Sequence, residues 1–202
     1  SLQVSHGMAL ADLDNDGDQD VVINCLNAPP LIYRNETVNP RVAVRLRGSP
    51  PNTQGIGAKV TLSAEGFPQQ IQQIIAGGRY LSGDDPMRVF AAGSPTNEMT
   101  VEVAWRSGRR SLVRGVRANH AYEIDEPVGG LASTDGASHP TNQIPRSKPL
   151  FADVSSLIGH AHTDERFDDF ARQPLLPNQL SQLGPGVTWC DLDGDGWGDI
   201  LI

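Results

Sequence analysis

Nine residues near the N-terminus, Asp12 to Asp20, read D-L-D-N-D-G-D-Q-D, and Asp191 to Asp199 repeat the design as D-L-D-G-D-G-W-G-D. Both runs place aspartates at the first, third, fifth and ninth positions and a glycine, Gly17 or Gly196, at the sixth. No basic residue lies inside either run. Carboxylates a few ångströms apart repel one another, so a chain can close such a turn only if something removes the charge. A hard cation does this. Ca²⁺ takes roughly six to eight oxygen ligands, and alternating Asp side chains with a glycine at the sharp turn present them. The pattern assigns Asp12, Asp14, Asp16 and Asp20 as side-chain ligands of one ion, with the carbonyl of Asp18 as a fifth ligand. The second set is Asp191, Asp193, Asp195 and Asp199, with the carbonyl of Trp197. The competing reading is an Asp/Gly-rich surface turn that holds no ion. Two copies with the same spacing and the same flanks favour the ion.

An EF-hand loop starts the same way but closes with a bidentate Glu at its twelfth position. Here the twelfth positions are Ile23 and Ile202, which cannot ligate. The residues that follow, Val21-Val22-Ile23 and Ile200-Leu201-Ile202, are mostly β-branched and read as strand rather than helix. Gly7–Ala11 and Gly186–Cys190, before the loops, also read as strand. Each loop is therefore expected to be the turn of a β-hairpin, closed by Asp20 or Asp199.

The rest of the chain alternates in the same β-like manner. Val42, Val44 and Leu46 fall on one face of Arg41–Arg47. Val60 and Leu62 do so in Lys59–Ala64, and Met99, Val101, Val103 and Trp105 share a face in the stretch they span. Ala121–Asp125 reads as a last strand. Period-two patterning with turn signals at Ser49-Pro50-Pro51-Asn52, Gly77-Gly78, Ser94-Pro95-Thr96-Asn97 and Ser107-Gly108 predicts a β-sandwich of about seven short strands over residues 41–126. Residues 127–148 are rich in Gly, Ser, Pro and Thr without periodicity and read as a flexible linker. Phe167–Pro177 is aromatic and bounded by proline, and is expected to be irregular or a short helix.

Composition sharpens this. The net charge is −8, but residues 41–124 carry +5 and the remainder −13. The acidic excess lies largely in the two loops. The chain as a whole does not suit nucleic acid, while its basic middle suits an anionic glycan or surface. No apolar run approaches the roughly 20 residues that span a membrane. The chain starts at Ser1 and its last residue falls in an expected strand, so it reads as a piece of a longer protein. Cys25 and Cys190 read as two buried thiols rather than a disulfide.

The two D-x-D-x-D-G-x-x-D hairpins resemble the calcium loops of FG-GAP/VCBS repeats, the blades of integrin-α-like β-propellers. Residues 41–124 resemble the ASPIC/UnbV domain through Gly55-Ile56-Gly57-Ala58-Lys59-Val60, Gly77-Gly78-Arg79-Tyr80-Leu81-Ser82 and Val103-Ala104-Trp105-Arg106-Ser107-Gly108. Phe170–Pro177 and Gly184-Pro185-Gly186 are similar to the segment that opens a further propeller. The order matches that of CRTAC-like secreted proteins. It departs at Val89-Phe90-Ala91-Ala92-Gly93, where the family has a Phe-Gly-x-Gly strand end. The resemblance implies an all-β chain: the end of a propeller blade at 1–40, an ASPIC/UnbV-like β-sandwich at 41–126, the linker at 127–148, and the start of a further propeller at 149–202. It also implies an extracellular or cell-envelope protein.

The function expected is a non-enzymatic calcium-binding module with two Ca²⁺ sites, serving adhesion or contact with a protein or glycan ligand. Two other readings stand beside it. A secreted calcium-dependent enzyme acting on glycans or phosphoesters would draw on His160 and His162, near Asp164 and Glu165. A carbohydrate-binding module would use Tyr80 and Trp105, although Trp105 falls on the apolar face and is expected in the core.

Overall fold

The computed structural model describes residues 5–128, 131–135, 138–140, 151–177, 181, 185–193 and 198–202. Along the chain run β1 (Ser5–Ala11), β2 (Asp20–Cys25), β3 (Leu31–Asn35), β4 (Arg41–Arg47), β5 (Lys59–Ala64), β6 (Phe67–Gln73), β7 (Gly78–Arg79), β8 (Ser82–Gly83) and β9 (Arg88–Ala91). They are followed by β10 (Met99–Ala104), β11 (Arg110–Val116), β12 (His120–Asp125), β13 (Leu131–Asp135), β14 (Ser138–Pro140) and β15 (Phe151–Asp153). A 3-10 turn (Ser155–Leu157), the short helix α1 (Asp169–Arg172), β16 (Val187–Cys190) and β17 (Asp199–Leu201) complete the described elements. Asp168 caps α1 by accepting from the amides of Phe170 and Ala171.

Two sheets form the expected sandwich. One has the order β13-β11-β10-β5-β6 and the other β14-β12-β4-β9. Residues 41–126 supply seven of these strands, and the Gly/Ser/Pro/Thr-rich stretch adds β13, parallel to β11, and β14, antiparallel to β12. The apolar faces read from the sequence meet in one core. Val42, Val44, Val60, Leu62, Met99, Val101 and Val103 are all buried there with Phe90 and Ile124, while Thr100 and Glu102 alternate outward. Trp105 lies in the same core. Its Nε1 donates to Ser111 Oγ at 2.9 Å, and Ser111 Oγ donates to the Asp125 carbonyl at 3.3 Å, which bridges the two sheets.

The strand Phe67–Gln73 has no clean apolar alternation, and its position explains why. It is the outer strand of its sheet, and its glutamines cover the open side of β9 in the other sheet. Gln70 donates to the Ala91 carbonyl at 2.7 Å and accepts from the Ala91 amide at 3.0 Å, and Gln72 donates to the Val89 carbonyl at 2.7 Å. Primary amides thus satisfy backbone groups that an exposed edge would offer to another chain.

A third sheet has the order β1-β2-β3-β15, so the first three strands share it with Phe151–Asp153, more than a hundred positions later. The fourth has the order β17-β16-β8-β7. Ala9, Val22 and Ile32 from the third sheet pack with Val187 from the fourth, and Leu13, Val154, Ile158, Ile200 and Ile202 lie against them. The hairpin β7–β8 belongs by sequence to the sandwich region, yet β8 pairs with β16 and also touches β1. Ser82 Oγ accepts from the amides of Met8 at 3.1 Å and Val187 at 3.2 Å. Asp84 Oδ1 accepts from the Leu10 amide at 2.9 Å, and the Asp85 amide donates to the Leu10 carbonyl at 2.8 Å. Asp85 is buried and holds Arg45 of β4 in a two-pronged pair at 3.0 and 2.8 Å. The close approach requires glycine at 186, where a Cβ would stand 2.2 Å from the Leu81 carbonyl oxygen. Cys25 and Cys190 form no disulfide, and only Cys25 is buried; Cys190 is half-buried.

Ser82→Ala strips the acceptor from two amides at this junction. A buried donor left without a partner costs about 1–3 kcal/mol, and that is the expected loss in denaturant unfolding. Amide exchange should accelerate at Met8 and Val187 while the sandwich amides of Val60 and Val101 keep their protection. An unchanged midpoint would show that the hydroxyl contributes nothing there.

Candidate metal centre

The first Asp-rich loop joins β1 to β2, which pair antiparallel from Ala11↔Asp20 outward. Its backbone is folded by its own carboxylates. Asp12 Oδ1 accepts from the Asp16 amide at 3.1 Å and Oδ2 from the Gly17 amide at 2.9 Å. Asp16 Oδ1 accepts from the Asp18 amide at 3.0 Å. Gly17 sits at φ 87°, a left-handed conformation that only glycine adopts without strain. Asp20 closes the turn: Oδ2 accepts from the Leu13 amide at 2.8 Å and Oδ1 from the Asn35 amide of β3 at 2.6 Å.

These bonds leave oxygens of Asp12, Asp14 and Asp20 within 4.8 Å of one another. Asp16 is not part of that mutually close set, although its charge acts on Asp12 and Asp14. Its Oδ1 lies 3.0 Å from Arg41 Nη2, and the same nitrogen is 3.3 Å from Asp18 Oδ2. Asp18 is 2 % exposed and neither of its carboxylate oxygens accepts a hydrogen bond. Arg34 Nε lies 3.7 Å from Asp14 and also pairs with Glu36.

The second loop joins β16 to β17, again antiparallel, from Cys190↔Asp199. Its described part repeats the first. Leu192 N donates to Asp199 Oδ2 at 2.9 Å, the counterpart of the Leu13–Asp20 bond. Asp191, Asp193 and Asp199 bring oxygens within 4.8 Å. Asp195 and Trp197 lie outside the described residues. The loops differ in surroundings: Asp20 is fully buried, whereas Asp191 and Asp193 are exposed and Asp199 is half-buried.

The first loop fits a hard divalent cation by chemistry and by charge. Its donors are all oxygens, the set suited to Mg²⁺, Ca²⁺ or Mn²⁺ rather than to a thiolate- or imidazole-seeking metal. Five carboxylates face two guanidinium groups, one of them shared with Glu36. The shortfall shows in the acidities without a metal. Burial, opposed by the amides of Gly17 and Asp16, pushes Asp12 up to about 6. Burial, with the neighbouring Asp16 adding to it and Arg41 opposing it, pushes Asp18 up to about 8. Burial, opposed by the Asn35 and Leu13 amides, pushes Asp20 up to about 6. Asp14 is also raised, chiefly by burial.

Arg41 and Arg34 were not legible as parts of this site. Arg41 is 25 positions after Asp16 and opens a strand of the sandwich, so no local spacing connects them. The histidines proposed for an enzyme are differently placed. His162 Nε2 is 3.3 Å from Asp164 Oδ1, and the Nε2 atoms of His160 and His162 are buried without a hydrogen-bond partner. Among the described residues, no third ligand completes a metal group with them. His120 Nδ1 contacts the Ala118 carbonyl at 2.8 Å and its ring tilts toward Tyr122, a strand-end environment.

Comparison with known families identifies one region. Residues 48–130 match the family model described as ASPIC and UnbV. The ASPIC/UnbV match covers the sandwich from the turn after β4 to the stretch before β13, and it carries the β7–β8 hairpin that meets β1 and β16. Both Asp-rich loops lie outside it. No curated protein matches the chain.

The raised pKa values set the pH dependence of the metal-free protein. A carboxylate whose pKa is higher in the folded state favours folding while protonated. That contribution is complete below its ordinary pKa of 3.8 and is lost as pH rises through about 6 for Asp12 and Asp20 and about 8 for Asp18. Asp18→Asn removes the largest of these losses. In chelator at pH 8 the variant is expected to melt a few degrees above the unsubstituted protein, and the gap should close toward pH 5. A variant that melts lower at pH 8 would show that the Asp18 charge is fully compensated by Arg41.

Proposed function

We propose that this chain is a non-enzymatic calcium-binding module of the FG-GAP/VCBS type, built around an ASPIC/UnbV-like sandwich as in CRTAC-like proteins. The observation that carries the reading is the repeated loop. In two hairpins the first, third and ninth aspartates converge, and the ninth closes each turn on the amide of the second residue. Oxygen donors on a hairpin turn suit calcium held as a structural ion, which neutralises the loop and fixes the strands beside it. The four-stranded antiparallel sheet β1-β2-β3-β15 and the β16–β17 hairpin pack through apolar residues, which supports reading them as adjacent blades. By the same resemblance the protein is secreted or displayed at the cell surface, where calcium at millimolar levels saturates modules with Kd of ~10⁻⁴–10⁻³ M. Its role is adhesion or the binding of a protein or glycan, and the excess of basic residues in the sandwich region suits an anionic partner.

Calorimetric titration with Ca²⁺ is expected to show two sites. Asp12→Ala should remove one and Asp191→Ala the other. Saturation at about a hundred times Kd adds about 2.7 kcal/mol per site, read as a higher melting temperature in calcium than in chelator. Heat signals that neither substitution alters, or a melt indifferent to chelator, would defeat the proposal.

A further inference from the structure

Arg41 is the first residue of β4, a sandwich strand, but its guanidinium lies in the first Asp-rich loop. Nη2 donates to the Asp16 carbonyl at 2.8 Å and stands 3.0 Å from Asp16 Oδ1 and 3.3 Å from Asp18 Oδ2. Nη1 donates to the Thr37 carbonyl at 3.1 Å. The side chain is 14 % exposed, so these contacts are shielded from solvent. Asp16 occupies the fifth position of the loop, where its carboxylate is expected on the ion, yet only Asp12, Asp14 and Asp20 converge. Asp18 adds a buried carboxylate whose oxygens accept no hydrogen bond, so negative charge remains in the loop after both arginines have been counted.

We propose that Arg41 is a tethered cation that competes with a divalent ion for Asp16. This inference rests on the reading that the first loop binds such an ion. In the ion-free loop the guanidinium engages the Asp16 carboxylate, which is not part of the mutually close set Asp12, Asp14 and Asp20. A guanidinium and a divalent ion that share one buried carboxylate repel each other, so the ion gains Asp16 only as Arg41 yields it. Arg41 keeps its bonds to the Asp16 and Thr37 carbonyls when it does so, and the exchange therefore occurs without loss of the tether. Occupancy of the loop is linked in this way to the first residue of β4, and through β4 to the sandwich.

The test is a Ca²⁺ titration by calorimetry of the full chain carrying Asp191→Asn and Asp193→Asn, which silence the second loop. In that background Arg41→Met should tighten binding by about tenfold, because the competing charge is gone. Arg41→Lys keeps the charge but loses the planar fork; it serves if the Met variant fails to fold, and should tighten binding by roughly threefold. With Asp16→Asn also present, either gain should shrink to less than about twofold, since the contested ligand is absent. Weaker or unchanged binding in both Arg41 variants overturns the inference and makes Arg41 a positioning residue. A gain that persists with Asp16→Asn also overturns it, since the effect would then be general charge. If the silenced parent binds no Ca²⁺ while its first loop is intact, the calcium reading of that loop falls together with the inference.

Discussion

The crowding of carboxylates at the first hairpin turn is the constraint on which much of this fold depends. Asp12, Asp16 and Asp20 are not merely tolerated by the backbone; they hold it. Their oxygens accept five backbone amides between Leu13 and Asn35. Two of these bonds reach beyond the tip of the turn. The Asp20–Leu13 bond sets where β1 gives way to the loop, and the Asp20–Asn35 bond ties the loop to β3. The register of the sheet is thus set by the same groups that create its electrostatic cost. Charge-assisted bonds to amides are among the stronger hydrogen bonds, but the acceptors must stay ionised in a buried site to make them fully. Protonation relieves the repulsion and weakens the bonds; a divalent cation relieves the repulsion and keeps them.

The ASPIC/UnbV region enters this arrangement as a connector as well as a domain. Its β7–β8 hairpin leaves the sandwich to pair with β16 and touch β1; Ser82 accepts from amides of both, and Asp84 and Asp85 bond to Leu10 of β1. Asp85 also returns to the sandwich through Arg45. A second tie runs from the sandwich into the loop through Arg41. The two Asp-rich hairpins and the sandwich therefore touch at polar points with specified partners, while each side has its own apolar core. Both ties start from one strand, because β4 carries both Arg41 and Arg45.

What could be read from the sequence follows the range of the forces. Alternation placed Val60, Leu62, Val101 and Val103 on one buried face because a strand's side-chain period is local. The pairing of the Asp loops with strands on either side was legible for the same reason. Three features were not. Phe67–Gln73 forms a strand because its glutamines bond to β9, a neighbour in the opposite sheet, so its own pattern stays polar. Phe151–Asp153 completes a sheet with β3 more than a hundred positions earlier. Arg41 joins the first Asp-rich loop from the start of another sheet. Within the site, the converging set Asp12, Asp14 and Asp20 follows from spacing, whereas the turning of Asp16 toward Arg41 depends on tertiary contact.

The contrast between the two loops then has a physical meaning. They share the sequence pattern and the closing bond, but in the first Asp16, Asp18 and Asp20 are buried, Asp12 is half-buried and only Asp14 is exposed, and the loop is laced to β3, β4 and two arginines, while in the second Asp191 and Asp193 are both exposed and Asp199 is half-buried. Water screens repulsion in the second loop, so an ion there replaces solvent that already lowers the cost. In the first loop the protein itself must supply the compensation, and Arg34 and Arg41 supply only part of it. A cation bound there would therefore bear on the β1-β2-β3-β15 sheet, which Asp20 ties at the Asn35 amide, and on β4, whose Arg41 reaches the loop. Equal motifs do not give equal sites: the energetic weight of each loop is set by what the fold places around it.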